Sequence, residues 1–202
     1  MRPCGCLHSQ AEAILAMDFI ETLTLSRQRQ YILAAIHHPR RGVRVLGTPA
    51  HPTHAWVTQT IKNLVMDLED AGQLAAIKFM IRDRDAKYPA VIDEILILGQ
   101  AGIHTVLTAV RTPHMNSIME RWVRRLRREL PDRTLLWNEA HLRRALREYE
   151  QHDNHHRTHR TLQAAAPLHA VPEPLEPVQI KRLGIRRRVR LDGVLHEYQH
   201  AS

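Results

Sequence analysis

The chain has 202 residues, 44% apolar and 25% charged, the length and make-up of one globular domain that can bury its own core. No apolar run approaches the roughly 20 residues of a membrane-spanning helix, and two cysteines, Cys4 and Cys6, one residue apart, cannot staple a fold. An integral membrane protein and a disulfide-built secreted scaffold are both excluded, while a net charge of +8 points to a polyanionic partner, nucleic acid first.

Residues 1–12 form a leader without the apolar core of a signal peptide, so the expected compartment is the reducing cytoplasm. From Ala13 to Leu46 the pattern predicts three strands with short connections: Ala13 to Leu25, Tyr31 to Ile36, and Val43 to Leu46 after the turn HHPRRG. They form an antiparallel meander. Beyond Pro52, Val57, Ile61, Leu64, Val65 and Leu68 mark one face of a helix, with Gly72 placed to cap it. A short strand, Ile77 to Ile81, leads into IRDRDAKY. A helix through Val91, Ile95 and Leu98, a strand from His104 to Leu107 and the loop TAVRTPHMN follow. Asn116 to Leu130 is predicted helical up to Pro131, and Asn138 is placed to cap the helix bearing Leu142, Ala145, Leu146 and Tyr149. The order β-β-β-α-β-α-β-α-α is that of a mixed α/β layer protein. Residues 13–167 make the domain, 168–180 a proline-rich linker around PEPLEP, and 181–202 a basic tail with the strand-like IRRRVRL.

The positive charge is clustered. RWVRRLRR, Arg121 to Arg128, holds five arginines in eight residues, and KRLGIRRRVR at 181–190 holds six basic residues in ten. Guanidinium forks match phosphate geometry, so Arg121, Arg124, Arg127 and Arg128 in the first cluster are assigned to nucleic acid. Lys181, Arg182, Arg186, Arg187 and Arg188 in the second are assigned with them.

Which acids serve chemistry? Asp18 lies inside an apolar strand, where an ionised group is costly unless paired or bound to a metal. Asp83 and Asp85 directly follow the strand 77–81, and Glu120 lies on the helix of the first arginine cluster. A right-handed crossover sets the fourth strand beside the first, bringing Asp18 and Asp83 onto neighbouring strands. If the helix of Glu120 packs at the same edge, three carboxylates repel one another and divalent cations relieve the repulsion. Singly, each acid has a plainer reading: a hydrogen-bonded strand aspartate, a turn residue, a solvated helix glutamate. Asp85 is read as the turn residue.

The pieces AMDFIET, AHPTHAWVTQTIKNLVMDL, IRDRDAKY, VRTPHMNSIMERWVRRLRREL and NHHRTHRTL resemble the retroviral-type integrase catalytic core of bacterial insertion-sequence transposases, the DDE enzymes of the RNase H-like superfamily. The resemblance runs from Ala13 to Pro167, and the 36 residues between Asp83 and Glu120 match the family's usual separation. It implies an RNase H-like mixed five-stranded sheet flanked by helices. It further implies Asp18, Asp83 and Glu120 as catalytic, metal-binding acids holding two Mg²⁺ or Mn²⁺ ions, and DNA strand transfer in transposition. Asn116, one helical turn before Glu120, is given an accessory role in positioning substrate, with a helix cap as its plainer reading. Implied partners are DNA (element ends and target) and further copies of the chain on that DNA. The chain starts close to its first catalytic strand, so end recognition is expected from a separate helix-turn-helix protein. The alternatives are a truncated DNA-binding remnant without catalysis and an RNase H-like nuclease that cuts without joining.

Two residues depart from the family's Y-N-x-x-R-P-H-x-x-L block: Asp153 stands for the aromatic and Thr158 for the proline. Both are expected to loosen the end of the domain. The histidines around them, with His152/His156 and His155/His159 each spaced by four, suit zinc less well than they suggest, since structural zinc usually takes four ligands, often with cysteine. Trp122 and Leu126 are expected to face the core.

Overall fold

The computed structural model describes residues 13–98, 102–108, 116–171, 173 and 184–201. The leader 1–12, much of the loop before Asn116, most of the proline-rich linker, Lys181 and Arg182 lie outside the described residues.

Three strands open the fold, β1 Ile14–Leu23, β2 Arg29–His37 and β3 Val43–Gly47. Helix α1 His54–Asp70 leads to β4 Phe79–Arg82, then helix α2 Val91–Leu98 and β5 His104–Leu107. Helices α3 Ser117–Glu129 and α4 Glu139–His155 follow, and the tail folds into β6 Gly184–Arg190 and β7 Leu195–Ala201. The five-stranded sheet has the order β3-β2-β1-β4-β5; β1, β2 and β3 pair antiparallel, while β4 joins β1, and β5 joins β4, in parallel. The expected mixed sheet is therefore present, with β4 beside β1.

Strand alternation divides the apolar residues between the two faces. Leu15 and Met17 of β1 point toward α1 and α2, into a core with Val57, Ile61, Leu64, Met80 and Ile92. Ile14, Ala16 and Ile20 point the other way, toward α3 and α4, with Trp122, Leu126, Leu146 and Tyr149. A sheet covered on both faces explains why its central strand reads as an unbroken apolar run.

The helix ends follow from local chemistry. Thr53 Oγ1 accepts from Trp56 N at 3.2 Å and starts α1. At its far end Gly72, at φ 63°, allows the Gln73 N–H to reach Leu68 O and the Gly72 N–H to reach Glu69 O, both at 2.8 Å, the Schellman arrangement. Gly47 answers to packing: a Cβ there would stand 2.6 Å from the Trp56 ring. Asn138 caps α4 by accepting from His141 N at 2.9 Å.

One side chain fastens the outer strand. Asn154 Oδ1 accepts from Val43 N and its Nδ2 donates to Val43 O, each at 2.8 Å, so the amide acts as one more strand partner for β3. Asn154→Ala leaves two buried backbone groups unpaired and is expected to lower stability by about 2–3 kcal/mol, read as a shift in the denaturant midpoint at constant slope.

The tail is a hairpin laid on α4. Leu195 and Glu197 of β7 are buried, and the Glu197 carboxylate lies 3.3 Å from Arg190 Nε, 3.9 Å from His152 Nδ1 and 3.7 Å from His156 Nε2. Those two histidines face an acid and not each other's metal: among the described residues no three His, Cys, Asp or Glu side chains are placed to hold one ion.

Candidate active site and nucleic-acid interface

The parallel register decides where the first two acids meet. Ala16 pairs with Ile81, so two residues further along each strand Asp18 stands beside Asp83. Alternation gives Asp18 the face of Ala16 and Ile20, the one covered by α3. Its carboxyl is pushed up to about 6, first by burial and then by the Asp83 charge next to it. Arg127 of α3 works in the opposite direction, holding the proton affinity down.

Past Asp83 the chain makes a built turn. Asp83 Oδ1 accepts from Asp85 N at 3.1 Å, and Asp85 Oδ1 accepts from Lys87 N at 2.9 Å while its other oxygen pairs with Lys87 Nζ. Burial opposes the Asp85 charge, but Lys87 more than offsets it and holds the carboxyl below the usual range. Asp85 is thus a turn residue with both oxygens engaged.

Arg82 and Tyr88 support this turn from the other face of the sheet. The buried Arg82 reaches Asp93 Oδ1 at 3.2 Å and lies 5.3 Å from the Tyr88 ring, which packs 5.1 Å from Phe19. Sequence reasoning passed over both residues. The available signal was alternation: with Asp83 on one face, Arg82 must enter the opposite, apolar side, where a charge needs a partner.

Helix α3 carries two basic rows, one on each flank of its buried ridge of Met119, Trp122, Val123 and Leu126. Glu120, Arg124 and Arg127 form the row toward the acids; Arg121, Arg125 and Arg128 form the row toward α4. Arg121, Arg124, Arg127 and Arg128 are exposed. Glu120 is exposed as well, seven residues and about 10 Å along the helix axis before Arg127, the α3 residue whose charge weighs on Asp18. The structure brings Asp18 and Asp83 together, and among the described residues no third acid is grouped with them to hold one ion. Asn116 is buried at the head of α3, where its side chain makes no cap bond and its Oδ1 has no partner among the described residues. The helix-cap reading is not realised.

The second basic cluster divides. In the β6–β7 register Arg187 pairs with Tyr198, on one face, whereas Arg188 pairs with Glu197 and Arg186 with Gln199, on the other. Three consecutive strand residues cannot share a face. All three arginines are exposed, so the hairpin shows positive charge on both sides.

Asp153, the first of the two departures, does not loosen the end of the domain. Asp153 is 1% exposed and accepts from Trp122 Nε1 at 2.7 Å and from Arg125 Nη2 at 2.6 Å, and it pairs with Arg157. Arg157 continues to Glu129 Oε2 at 2.6 Å, which also accepts from the Tyr149 hydroxyl at 2.7 Å. One buried carboxylate thus joins α3 to α4. Trp122 is buried as expected, but its indole N–H is also a member of this network.

Comparison with known proteins agrees with the architecture. Residues 101–167 match the integrase core domain family. The fold is that of the catalytic core domain of BIV integrase, at 18% identity and a TM-score of 0.53, covering 77% of this chain and 91% of that one. A simian T-cell lymphotropic virus intasome in complex with PP2A regulatory subunit B56 gamma aligns at 11% identity and a TM-score of 0.49, over 83% of this chain and 58% of that one. A search of the curated proteins finds no match. The chain thus has the fold of an integrase catalytic core, a mixed five-stranded sheet flanked by helices, and residues 101–167 of it resemble the integrase core domain family.

Proposed function

We propose that the chain is the catalytic core of an insertion-sequence transposase, transferring DNA strands in a metal-dependent reaction. The observation that carries this reading is the forced adjacency of Asp18 and Asp83 at the β1–β4 junction, beneath the arginine row of α3. Two carboxylates that repel each other offer the hard oxygen donors that Mg²⁺ or Mn²⁺ takes, so the residues present fit the ions the family implies. Asp18 and Asp83 would hold them; Glu120, the third acid by resemblance, lies on the α3 row that faces the pair but is not grouped with it in this structure. When bound, two such ions activate the attacking oxygen and stabilise the leaving one at a phosphodiester.

The chain's own residues supply the rest. Arg124 and Arg127 continue the row toward the acids and fix the backbone phosphates of the substrate. Asn116, with an unpartnered carbonyl oxygen at the head of the same helix, positions the strand. The ammonium of Lys87 and the shelf of Arg82 and Tyr88 hold the Asp83 turn in place. Joining two element ends requires several copies on the DNA, with a separate helix-turn-helix protein recognising the ends, in the cytoplasm at the nucleoid.

The competing reading, a DNA-binding remnant without catalysis, draws on the exposure of Glu120 and on the absence of a three-acid group among the described residues. Short duplexes incubated with Mg²⁺ or Mn²⁺ separate the readings. Joined strands support the transposase core, cut strands alone the nuclease, and binding without cutting the remnant.

A further inference from the structure

The tail hairpin turns one face to the domain and, among the described residues, leaves the other free. Its two strands of seven residues pair antiparallel over their full length, and alternation sorts their side chains between the faces. Leu195 and Glu197 lie on the face against α4: Leu195 enters the core, and Glu197 sits among Arg190, His152 and His156. The opposite face carries Ile185, Arg187 and Val189 of β6 with His196 and Tyr198 of β7. Ile185 is 66% exposed, Val189 50% and Tyr198 62%. The connection between the strands is tight, with Leu191, Asp192 and Gly193 all at positive φ and Val194 N donating to Leu191 O at 3.0 Å. The domain thus holds one side of a short ribbon and presents the other to solvent.

The free face sets a cation among apolar groups. Arg187 stands at its centre, directly opposite Tyr198, with Ile185 and Val189 two residues to either side. Its Nη2 lies 3.4 Å from His196 Nε2, so the guanidinium reaches diagonally across the ribbon. The described residues of this face include no acid. Exposed apolar groups around an arginine without a carboxylate call for a partner that is negative and has apolar groups of its own. Duplex DNA meets both demands, and the dimensions agree. Two strands about 4.8 Å apart, with their side chains, fit a major groove about 12 Å wide. There an arginine takes guanine O6 and N7 together, and apolar side chains meet the methyl of thymine.

We propose that the β6–β7 hairpin enters the major groove of duplex DNA and reads a short sequence with Arg187, Tyr198, Ile185 and Val189. Arg186 and Arg188, exposed on the same strand but on its other face, take the phosphates beside the groove and fix the ribbon's position. The proposal deepens the reading of the chain as a DNA-acting enzyme and rests on it. It adds a second reader to the separate protein that recognises the ends. Because Leu195 and Glu197 fasten the ribbon to α4, the bases it holds set which stretch of the duplex the domain carries.

Selection from a pool of short duplexes with a randomised centre, by the full chain without divalent ions, tests the ribbon. The bound duplexes are sequenced, and affinities for them are followed across salt concentration. The wild type is expected to enrich a short motif that contains guanine. Arg187→Gln should bind that motif about tenfold more weakly and lose the preference at the guanine. Tyr198→Ala should weaken the same motif, whereas Arg188→Gln should weaken every duplex alike and flatten the salt slope by about 1. If Arg187→Gln melts markedly lower than the wild type, Tyr198→Ala decides in its place. A wild type that binds duplexes but enriches no motif overturns the proposal while DNA binding stands. So does an Arg187→Gln protein that selects the same motif with the same affinity. Tighter binding of the single strand than of the duplex also overturns it, assigning the face to unpaired bases stacked on Tyr198. A wild type that binds no nucleic acid overturns the functional reading as well.

Discussion

In metal-free buffer at pH 7, Asp18→Asn is expected to melt higher than the wild type and to transfer no strands. The two effects have one cause. Burial and the neighbouring Asp83 raise the Asp18 carboxyl from 3.8 to about 6, so between those values the folded state binds more protons than the unfolded one. Stability falls as pH rises through that window, and above it the full cost of the charge is present. For a half-buried group, allowing for solvent screening, that cost is about 2 kcal/mol, or roughly 4–8 °C in melting temperature for a chain of this length. Replacing the carboxylate with an amide removes the cost and also the oxygen donor. Strand transfer should then fall by at least about 100-fold, the loss seen even for partners one shell out from a metal. Asp83→Asn should abolish strand transfer as well, since it removes the second oxygen donor. Mg²⁺ should raise the melting temperature of the wild type by binding the folded state, and should do so far less in either variant. A wild-type melting curve that does not respond to Mg²⁺, or an Asp83→Asn protein that transfers strands normally with Mn²⁺ present, removes the catalytic reading.

A gain of stability on deleting a side chain is the mark of a site held together for chemistry. Asp18 interrupts an apolar face between Ala16 and Ile20, and nothing in the packing of that face needs it. Where an ionised group stays against its own stabilising interest, function is the explanation that fits.

Residue patterns carried the sheet and the first two acids well because both follow from short-range rules. The apolar run of β1, the turn after it and the helical face of Val57 to Leu68 fix the element order. Parallel pairing of β1 with β4 then aligns Asp18 with Asp83 with no further information. Glu120 was harder to place, since its position depends on how α3 slides along the sheet, and spacing along the chain does not set that slide. The ridge of Met119, Trp122, Val123 and Leu126 fixes the rotation of the helix, so the row of Glu120, Arg124 and Arg127 faces the acids. Its axial position leaves Arg127 as the member that bears on Asp18. Arg186 to Arg188 read as one patch in sequence but lie on two faces, because a strand alternates and a helix would not. Asp153 was misjudged for a different reason: a carboxylate in place of an aromatic looks like lost packing until its partners are seen, Trp122 and Arg125 from α3 and Arg157 from the segment after α4. Those contacts span 28 to 31 residues for Arg125 and Trp122, beyond the reach of any local pattern.

Asp153 also carries the largest stability effect expected in the molecule. With a side chain 1% exposed to solvent, it is the common acceptor of an indole N–H and two guanidinium groups, and through Arg157 and Glu129 it connects to the Tyr149 hydroxyl. A buried ion pair as a whole can be replaced by apolar residues at little cost, but removing one partner leaves the others charged and unpaired, which costs about 3–5 kcal/mol. Asp153→Ala should therefore lower the melting temperature by roughly 10 °C or more. The sharper test is Asp153→Tyr, which restores the aromatic of the block that this segment resembles. If the aromatic supplies packing that this chain lacks, the variant is stabilised. On the network account it is destabilised at least as much as Asp153→Ala, because Arg125 and Arg157 lose their shared carboxylate, the Trp122 N–H loses its acceptor, and a larger ring enters a filled space. Charge should then rescue what volume cannot: Arg125→Met placed on Asp153→Tyr removes one stranded guanidinium and should recover part of the loss, whereas the same Arg125→Met in the wild type should cost stability. Equal effects of Arg125→Met in both backgrounds would show that the carboxylate and the guanidinium act independently, and the account of how α3 is tied to α4 would fail.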